Sequence, residues 1–125
     1  MTRDARETLD TKIKELNDSI LELGNIVEQA ILGSVTTLTD RNTQDAKAIY
    51  EGDKFINEKR YAIERQALIT VATQQPMATD LRRLSSIIDI AGELERIGDY
   101  AKGIARIAMR LEDLPPLRKL VHIPK

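Results

Sequence analysis

The chain contains no cysteine, and His122 is the single histidine among its 125 residues. Without cysteine it has no disulfides, no thiolate metal site and no cysteine nucleophile. His122 lies in a proline-rich C-terminal stretch without a partner in the sequence, so we expect no catalytic role for it. A glycine-rich phosphate loop, a GxSxG motif and an HExxH motif are also missing. We therefore predict a protein that is not an enzyme.

Glycine, proline and aromatic residues are scarce as well. Six Gly and four Pro are too few for a turn-rich sandwich or barrel, and 3% aromatic residues are too scattered for a base-stacking platform. The 19 Lys and Arg balance 20 Asp and Glu, so the basic surface of a nucleic-acid binder is absent. No segment has the roughly 20 apolar residues of a membrane span, and the N-terminus is charged throughout. We expect a cytoplasmic protein that binds no nucleic acid and reaches a membrane only through partners.

Three long segments place their apolar residues at helical spacing. They are Leu9–Asp40, Thr43–Thr73 and Pro76–Leu111, and each alternates steps of three and four residues. Helices of about 30–35 residues that are joined by short loops run antiparallel to their neighbours. The sequence therefore predicts an all-α, antiparallel up-down-up three-helix bundle over residues 1–113. Residues 114–125 are predicted to form a proline-rich basic tail or linker.

The buried stripe of each helix follows from the same periodicity. In the second helix it includes two charged residues, Asp53 and Arg60. An unpaired buried carboxylate is costly. Either Arg60 neutralises Asp53, or both residues lie at the edge of the stripe. The predicted buried stripe of the third helix is Ile87, Ile90, Leu94, Ile97, Ala101, Ile104, Ala108 and Leu111.

Four oxygen-bearing side chains have the spacing of a metal site. Glu95 and Asp99 lie four residues apart in the third helix, and Asp53 and Asn57 repeat that spacing in the second. Each pair therefore lies on one side of its helix. Oxygen ligands from facing helices bind hard cations, or iron or zinc when water completes the coordination shell. Acidic pairs at this spacing also arise by chance in charged helices and then simply face water.

The segment from residue 53 to residue 105 resembles the PhoU family of phosphate-uptake regulators. Four blocks occur in the family's order, and together they are far more specific than any one of them. The blocks are Asp53 with Ile56-Asn57 and Ile63-Glu64, then Gln75-Pro76, then Asp80-Leu81-Arg82, and finally Leu94 to Ala101 with Ile104-Ala105.

The resemblance also bears on the extent of the chain. Family members contain two tandem three-helix repeats, and this chain resembles one of them. We expect either a fragment of a longer protein or a natural single-repeat form, and an end directly after Ile123-Pro124-Lys125 favours the fragment.

The resemblance implies a non-catalytic adaptor between the ATPase subunit of a phosphate ABC transporter and a sensor histidine kinase, which down-regulates the phosphate-starvation response. It also implies iron or zinc at surface motifs with an acidic residue followed, four positions later, by Asp. Glu95 and Asp99 fit that form, whereas Asp53 and Asn57 end in a weaker ligand. The predicted metal ligands are therefore Asp53, Asn57, Glu95 and Asp99, with no organic cofactor. Gly98 either keeps the surface clear beside the acids or permits close helix packing.

Two other classes of protein stay open. A carboxylate-liganded metal-binding bundle, as a metalloenzyme or a metal store, would use the same acids, although the missing histidines argue against redox di-iron chemistry. A purely structural module would assemble through its long apolar stripes. Because a lone repeat leaves uncovered the apolar face that a second repeat would cover, we also expect a homodimer.

Overall fold

A computed structural model describes residues 3–111, and these residues form three α-helices. α1 comprises Arg3–Asp40, α2 comprises Thr43–Gln74 and α3 comprises Ala78–Arg110. Residues 3–111 contain no strand, and each helix contacts both of the others, so the predicted all-α three-helix bundle is confirmed. In this range no helix has an apolar stretch long enough to cross a membrane. The predicted tail and His122 lie outside the described residues.

Short connections reverse the chain between the helices. Arg41 adopts a left-handed conformation (φ 56°), and the side chain of Asn42 accepts a hydrogen bond of 3.0 Å from the backbone N–H of Asp45. Asn42 is thus the N-cap of α2, and it satisfies a backbone donor that has no partner inside the helix. Gln75, also left-handed (φ 44°), ends α2 immediately before Pro76. Both connections are too short for anything but antiparallel neighbours.

Individual contacts define how the helices are aligned. Arg60 of α2 pairs with Glu95 of α3, and seven residues earlier in α2 Asp53 pairs with Lys102, seven residues later in α3. These two matched steps show that α2 and α3 run antiparallel in one register. α1 and α3 run parallel, because Arg6 near the start of α1 pairs with a residue near the start of α3, Asp80.

The core is rich in leucine and isoleucine over most of the bundle and in alanine at one end. Near the C-terminal end of α3 it narrows to three small residues, Ala46, Ala105 and Ala108. Small side chains there allow the helix backbones to approach one another closely. The larger core cluster consists of Leu9, Ile13, Leu16, Leu23, Val27, Ile56, Ile63, Ala67, Leu84, Ile87 and Ala91.

The buried stripe of α3 differs from the predicted one. The periodicity places Ile90 and Ile97 inside, but their side chains are 46% and 40% exposed. The neighbouring row of Ala91, Gly98 and Ala105 is buried instead. The reason is steric, since small residues fit where α3 packs against two helices at once. The larger isoleucines are thereby turned towards the outer surface.

Candidate polar site between α2 and α3

A row of polar side chains lies between α2 and α3 near the middle of both helices. Asp53, Asn57 and Arg60 project from α2, because residues three and four apart share one side of a helix. The antiparallel register brings Lys102 of α3 opposite Asp53 and Glu95 of α3 opposite Arg60. These five residues are called the polar row below.

Asp53 is the most buried member of the polar row, with only 2% of its surface exposed. Its Oδ2 atom accepts a hydrogen bond of 3.3 Å from Asn57 Nδ2 and lies 3.7 Å from Lys102 Nζ. A buried carboxylate is stable only when it is paired, and Lys102 supplies the opposite charge. Lys102 also lies over the ring of Tyr50, with its Nζ 4.9 Å from the ring centroid.

Of the two possibilities for Arg60, neutralisation of Asp53 is not what the structure shows, since Arg60 bridges two other carboxylates. Its Nη1 lies 3.3 Å from Glu95 Oε2, and its Nη2 lies 3.3 Å from Glu64 Oε2. The guanidinium also lies over the ring of Tyr61, 4.7 Å from the centroid. Arg60 is seven residues from Asp53, about two helical turns, so the register of α3 gives each charge a different partner.

Gly98 permits the close contact between α3 and the Asp53 turn of α2. A Cβ atom at this position would lie 3.2 Å from Ile56 Cγ2 and 3.6 Å from Asp53 Oδ1. Gly98 is itself buried. Of the two explanations for this glycine, the structure therefore supports close helix packing.

The four predicted metal ligands differ in their surroundings. Asp53 and Glu95 already face the protein's own cations, Lys102 and Arg60. Asp99 is exposed. Within residues 3–111 no three His, Cys, Asp or Glu side chains are grouped closely enough to hold a metal ion.

Two oxygens of the polar row nevertheless have the chemistry of metal ligands. Asp53 Oδ1 and Asn57 Oδ1 are buried and accept no hydrogen bond within the described part of the chain. Carboxylate and amide oxygens are the ligands of hard divalent cations, whose remaining positions water can fill. The donor set therefore fits a divalent cation at these two residues, and metal binding stays a prediction.

A second buried carboxylate, Asp80, joins the starts of α1 and α3. Arg6 donates a hydrogen bond to Asp80 Oδ2, and Arg83 Nη1 lies 3.9 Å from Asp80 Oδ1. The hydrogen bond to Asp80, together with the nearby charge of Asp10, raises the pKa of Arg6. From sequence, Asp80 is explained by its favourable position in the first turn of a helix. Its ion pair with Arg6 depends on the packing of α1 against α3 and has no signal in the sequence.

Known proteins similar to this chain share one function in their names. The family model described as PhoU domain matches residues 20–108. The chain is 33% identical over 112 residues to the phosphate-specific transport system accessory protein PhoU homolog of Aquifex aeolicus (strain VF5). The match covers 90% of this chain and 51% of that protein. It is 35% identical over 115 residues to the homolog from Rhizobium meliloti (strain 1021). That match covers 90% of this chain and 48% of the relative.

A third relative is the phosphate-specific transport system accessory protein PhoU of Escherichia coli (strain K12), with 33% identity over 100 residues, 80% of this chain and 42% of that protein. The chain spans about half the length of the curated relatives it matches. The family match includes parts of all three helices and the whole polar row. By this match over most of its length, the chain belongs to the PhoU domain family.

Proposed function

We propose that this chain regulates phosphate uptake as a non-catalytic cytoplasmic adaptor. It contacts the ATPase subunit of a phosphate ABC transporter and a sensor histidine kinase, and it down-regulates the phosphate-starvation response. The observation that carries the proposal is the family match over residues 20–108, since relatives from three bacteria are named accessory proteins of the phosphate-specific transport system.

The architecture supports a binding role. α1 has 38 residues, so the bundle is a rod about 57 Å long at 1.5 Å per residue. The charges of the polar row pair with one another across α2 and α3 and hold the two helices in one register. A stiff rod of this kind presents side chains to protein partners in a constant arrangement.

Calorimetry with purified components tests the adaptor role. The 125-residue chain is titrated into the ATPase subunit of a cognate phosphate transporter and, separately, into the cytoplasmic part of a cognate sensor kinase. We expect heat of binding with at least one of them. A chain that is folded by circular dichroism and binds neither partner contradicts the proposal.

The proposal includes a metal, iron or zinc, held by oxygens of Asp53, Asn57, Glu95 and Asp99. The buried oxygens of Asp53 and Asn57 that accept no hydrogen bond support it.

Elemental analysis of protein purified without chelator or nickel resin tests the metal. We compare the wild type with Glu95→Ala/Asp99→Ala and with Asp18→Ala/Glu22→Ala, an acidic pair of the same spacing in α1. Stoichiometric iron or zinc that only the first variant loses supports the site. Wild-type protein without metal, or equal loss in both variants, contradicts it and leaves the adaptor role untouched.

The same metal analysis helps to distinguish the adaptor from the alternative class, a metal-binding bundle that stores a metal or uses it in catalysis. The buried, hydrogen-bond-free oxygens of Asp53 and Asn57 favour this class as well. Metal-dependent turnover that Glu95→Ala abolishes would favour it over the adaptor, whereas partner binding that persists without metal favours the adaptor.

A further inference from the structure

The two cations of the polar row are held in different ways. Arg60 lies 3.3 Å from each of two carboxylates, those of Glu64 and Glu95. Lys102 forms one ion pair within residues 3–111, at 3.7 Å from Asp53 Oδ2. A guanidinium has several donors in a fixed plane, whereas an ammonium is a strongly hydrated point charge on a flexible stem. Arg60 is therefore fixed between α2 and α3, and Lys102 is the cation of the polar row that is free to leave.

Lys102 reaches water without any movement of the helices. One-third of its side chain is exposed, although its partner Asp53 is buried. Its Nζ already lies 4.9 Å from the ring centroid of Tyr50, which is itself only partly buried. The face of an aromatic ring attracts a cation. Rotation about the side-chain bonds thus takes the ammonium from Asp53 to the surface while the tyrosine ring stays beside it.

Asp53 retains binding capacity while Lys102 is paired with it. The ammonium faces Oδ2, whereas Asp53 Oδ1 and Asn57 Oδ1 are buried and accept no hydrogen bond within the described part of the chain. A divalent cation held by these two oxygens shares the Asp53 carboxylate with the ammonium, and two positive charges at one carboxylate repel each other. A buried carboxylate needs one such partner, and a second one competes with the first.

We propose that Lys102 is the internal counter-ion of Asp53, which it neutralises in the absence of metal and leaves when a divalent cation binds to Asp53 and Asn57. This inference rests on the metal part of the proposed function and adds how that site is regulated. The exchange brings the ammonium to the surface beside Tyr50. The charge presented there by α3 then depends on whether metal is bound.

Calorimetric titration of Zn²⁺ into the metal-free 125-residue chain at constant pH tests the exchange. Lys102→Met should bind Zn²⁺ about 10-fold more tightly than the wild type, because the competing charge is gone. Lys102→Arg keeps the charge and should not bind more tightly than the wild type. Arg106→Met is the matched control, since Arg106 lies 5.8 Å from the same Tyr50 ring but forms no ion pair with Asp53 among residues 3–111. It should bind like the wild type.

The double variant Asp53→Leu/Lys102→Met shows whether the gain arises at Asp53, and it should lose the tight binding. Circular dichroism establishes that each variant is folded. Tighter binding in Lys102→Met but not in Arg106→Met supports the proposal. Equal tightening in both, or tight binding that persists in the double variant, overturns it. Zn²⁺ binding of equal or lower affinity in Lys102→Met overturns the role of Lys102 and leaves the metal site standing, whereas no binding by any variant overturns both.

Lysine acetylation of the wild type tests the displacement without any substitution. The chain is treated briefly with the N-hydroxysuccinimide ester of acetic acid, and the modified lysines are measured by peptide mass spectrometry. At a Zn²⁺ concentration that saturates the wild type, Lys102 should be acetylated severalfold faster than without metal, because its ammonium has moved into water. Lys47, whose side chain is 71% exposed, is the control and should react at an unchanged rate. A Lys102 rate that stays constant or falls overturns the proposal.

Discussion

The two flanks of α3 have opposite chemistry. The flank towards α2 carries charges that pair across the interface, such as Glu95 with Arg60. The flank towards α1 is mainly apolar apart from the Arg6–Asp80 pair at its start, and it includes Leu94, which packs against the larger core cluster. Hydrogen bonds and ion pairs are directional, whereas apolar burial is not and scales with area. The charged flank therefore specifies register, and the apolar flank supplies free energy of burial.

This contrast predicts that core leucines carry far more of the stability than the polar row does. Leu84 is completely buried in the larger core cluster. Leu84→Ala should lower the free energy of unfolding by about 2–5 kcal/mol, since it removes buried carbons and leaves a cavity. Urea unfolding followed by circular dichroism measures the change, and Leu68→Ala on the α2 surface is the control with little effect. Equal losses in both variants would contradict the assignment of the core.

The close approach at Gly98 gives the next largest expected effect. Gly98→Leu would push a side chain against Ile56 and should cost about 1–3 kcal/mol of unfolding free energy, as overpacked sites do. The matched substitution is Gly103→Leu in the same helix, where, among residues 3–111, no neighbouring side chain or other helix comes within 4 Å of the added Cβ. It should stabilise the chain by up to about 0.8 kcal/mol, because leucine is the better helix former. Thermal unfolding of both variants at equal concentration checks the pair, and destabilisation of similar size at both sites would refute it.

On the charged flank we expect a modest loss of unfolding free energy from each single substitution. The effects of substituting two paired residues should, however, be strongly non-additive. Lys102→Met leaves the Asp53 carboxylate without its cation and should cost about 1–2 kcal/mol, moderated because Lys102 is one-third exposed. The double variant Asp53→Leu/Lys102→Met should recover most of that loss, because an apolar pair replaces a buried charge pair at little cost.

A double-mutant cycle on urea unfolding measures this coupling. Lys14→Met, which breaks the exposed pair with Asp18, is the control and should change stability by less than about 0.5 kcal/mol. Additive effects of the Asp53 and Lys102 substitutions would show that the two charges do not interact.

The smallest effect on folding is expected at the uncovered part of the apolar flank. Ile90→Gln should lower the unfolding free energy of the monomer by less than about 0.5 kcal/mol, as surface substitutions do. Dilute samples, in which any dimer has dissociated, isolate this contribution in thermal unfolding. A loss above 1 kcal/mol would place Ile90 in the core after all.

Much of the fold follows from local signals. Apolar spacing predicts all three helices, and the predicted start of the second segment at Thr43 is where α2 begins. The observed α1 begins at Arg3, six residues before the first apolar position, because charged residues extend a helix without marking its start. α3 begins at Ala78 rather than at Pro76.

The site was predictable only in part. Asp53, Asn57 and Glu95 indeed lie along the α2/α3 contact, whereas Asp99 is exposed. Sequence reasoning missed Lys102. Lys102 lies seven residues after Glu95 in α3, and Asp53 lies seven residues before Arg60 in α2, so the two spacings match. That matched spacing was the available signal, and it becomes informative only once the antiparallel register of α2 and α3 is known.

Sequence alone determined the three helices, because helical periodicity depends on residues that are close along the chain. It also determined the family, through four blocks of residues in a fixed order between residues 53 and 105. Tertiary structure decided which of two neighbouring rows of α3 is buried and which cation meets which acid. Ile97 is exposed and Gly98 is buried because α3 must fit against two helices at once. Asp53 meets Lys102 because the register between separate helices selects its partner. Both outcomes depend on distances between segments far apart in the chain, which no local pattern encodes.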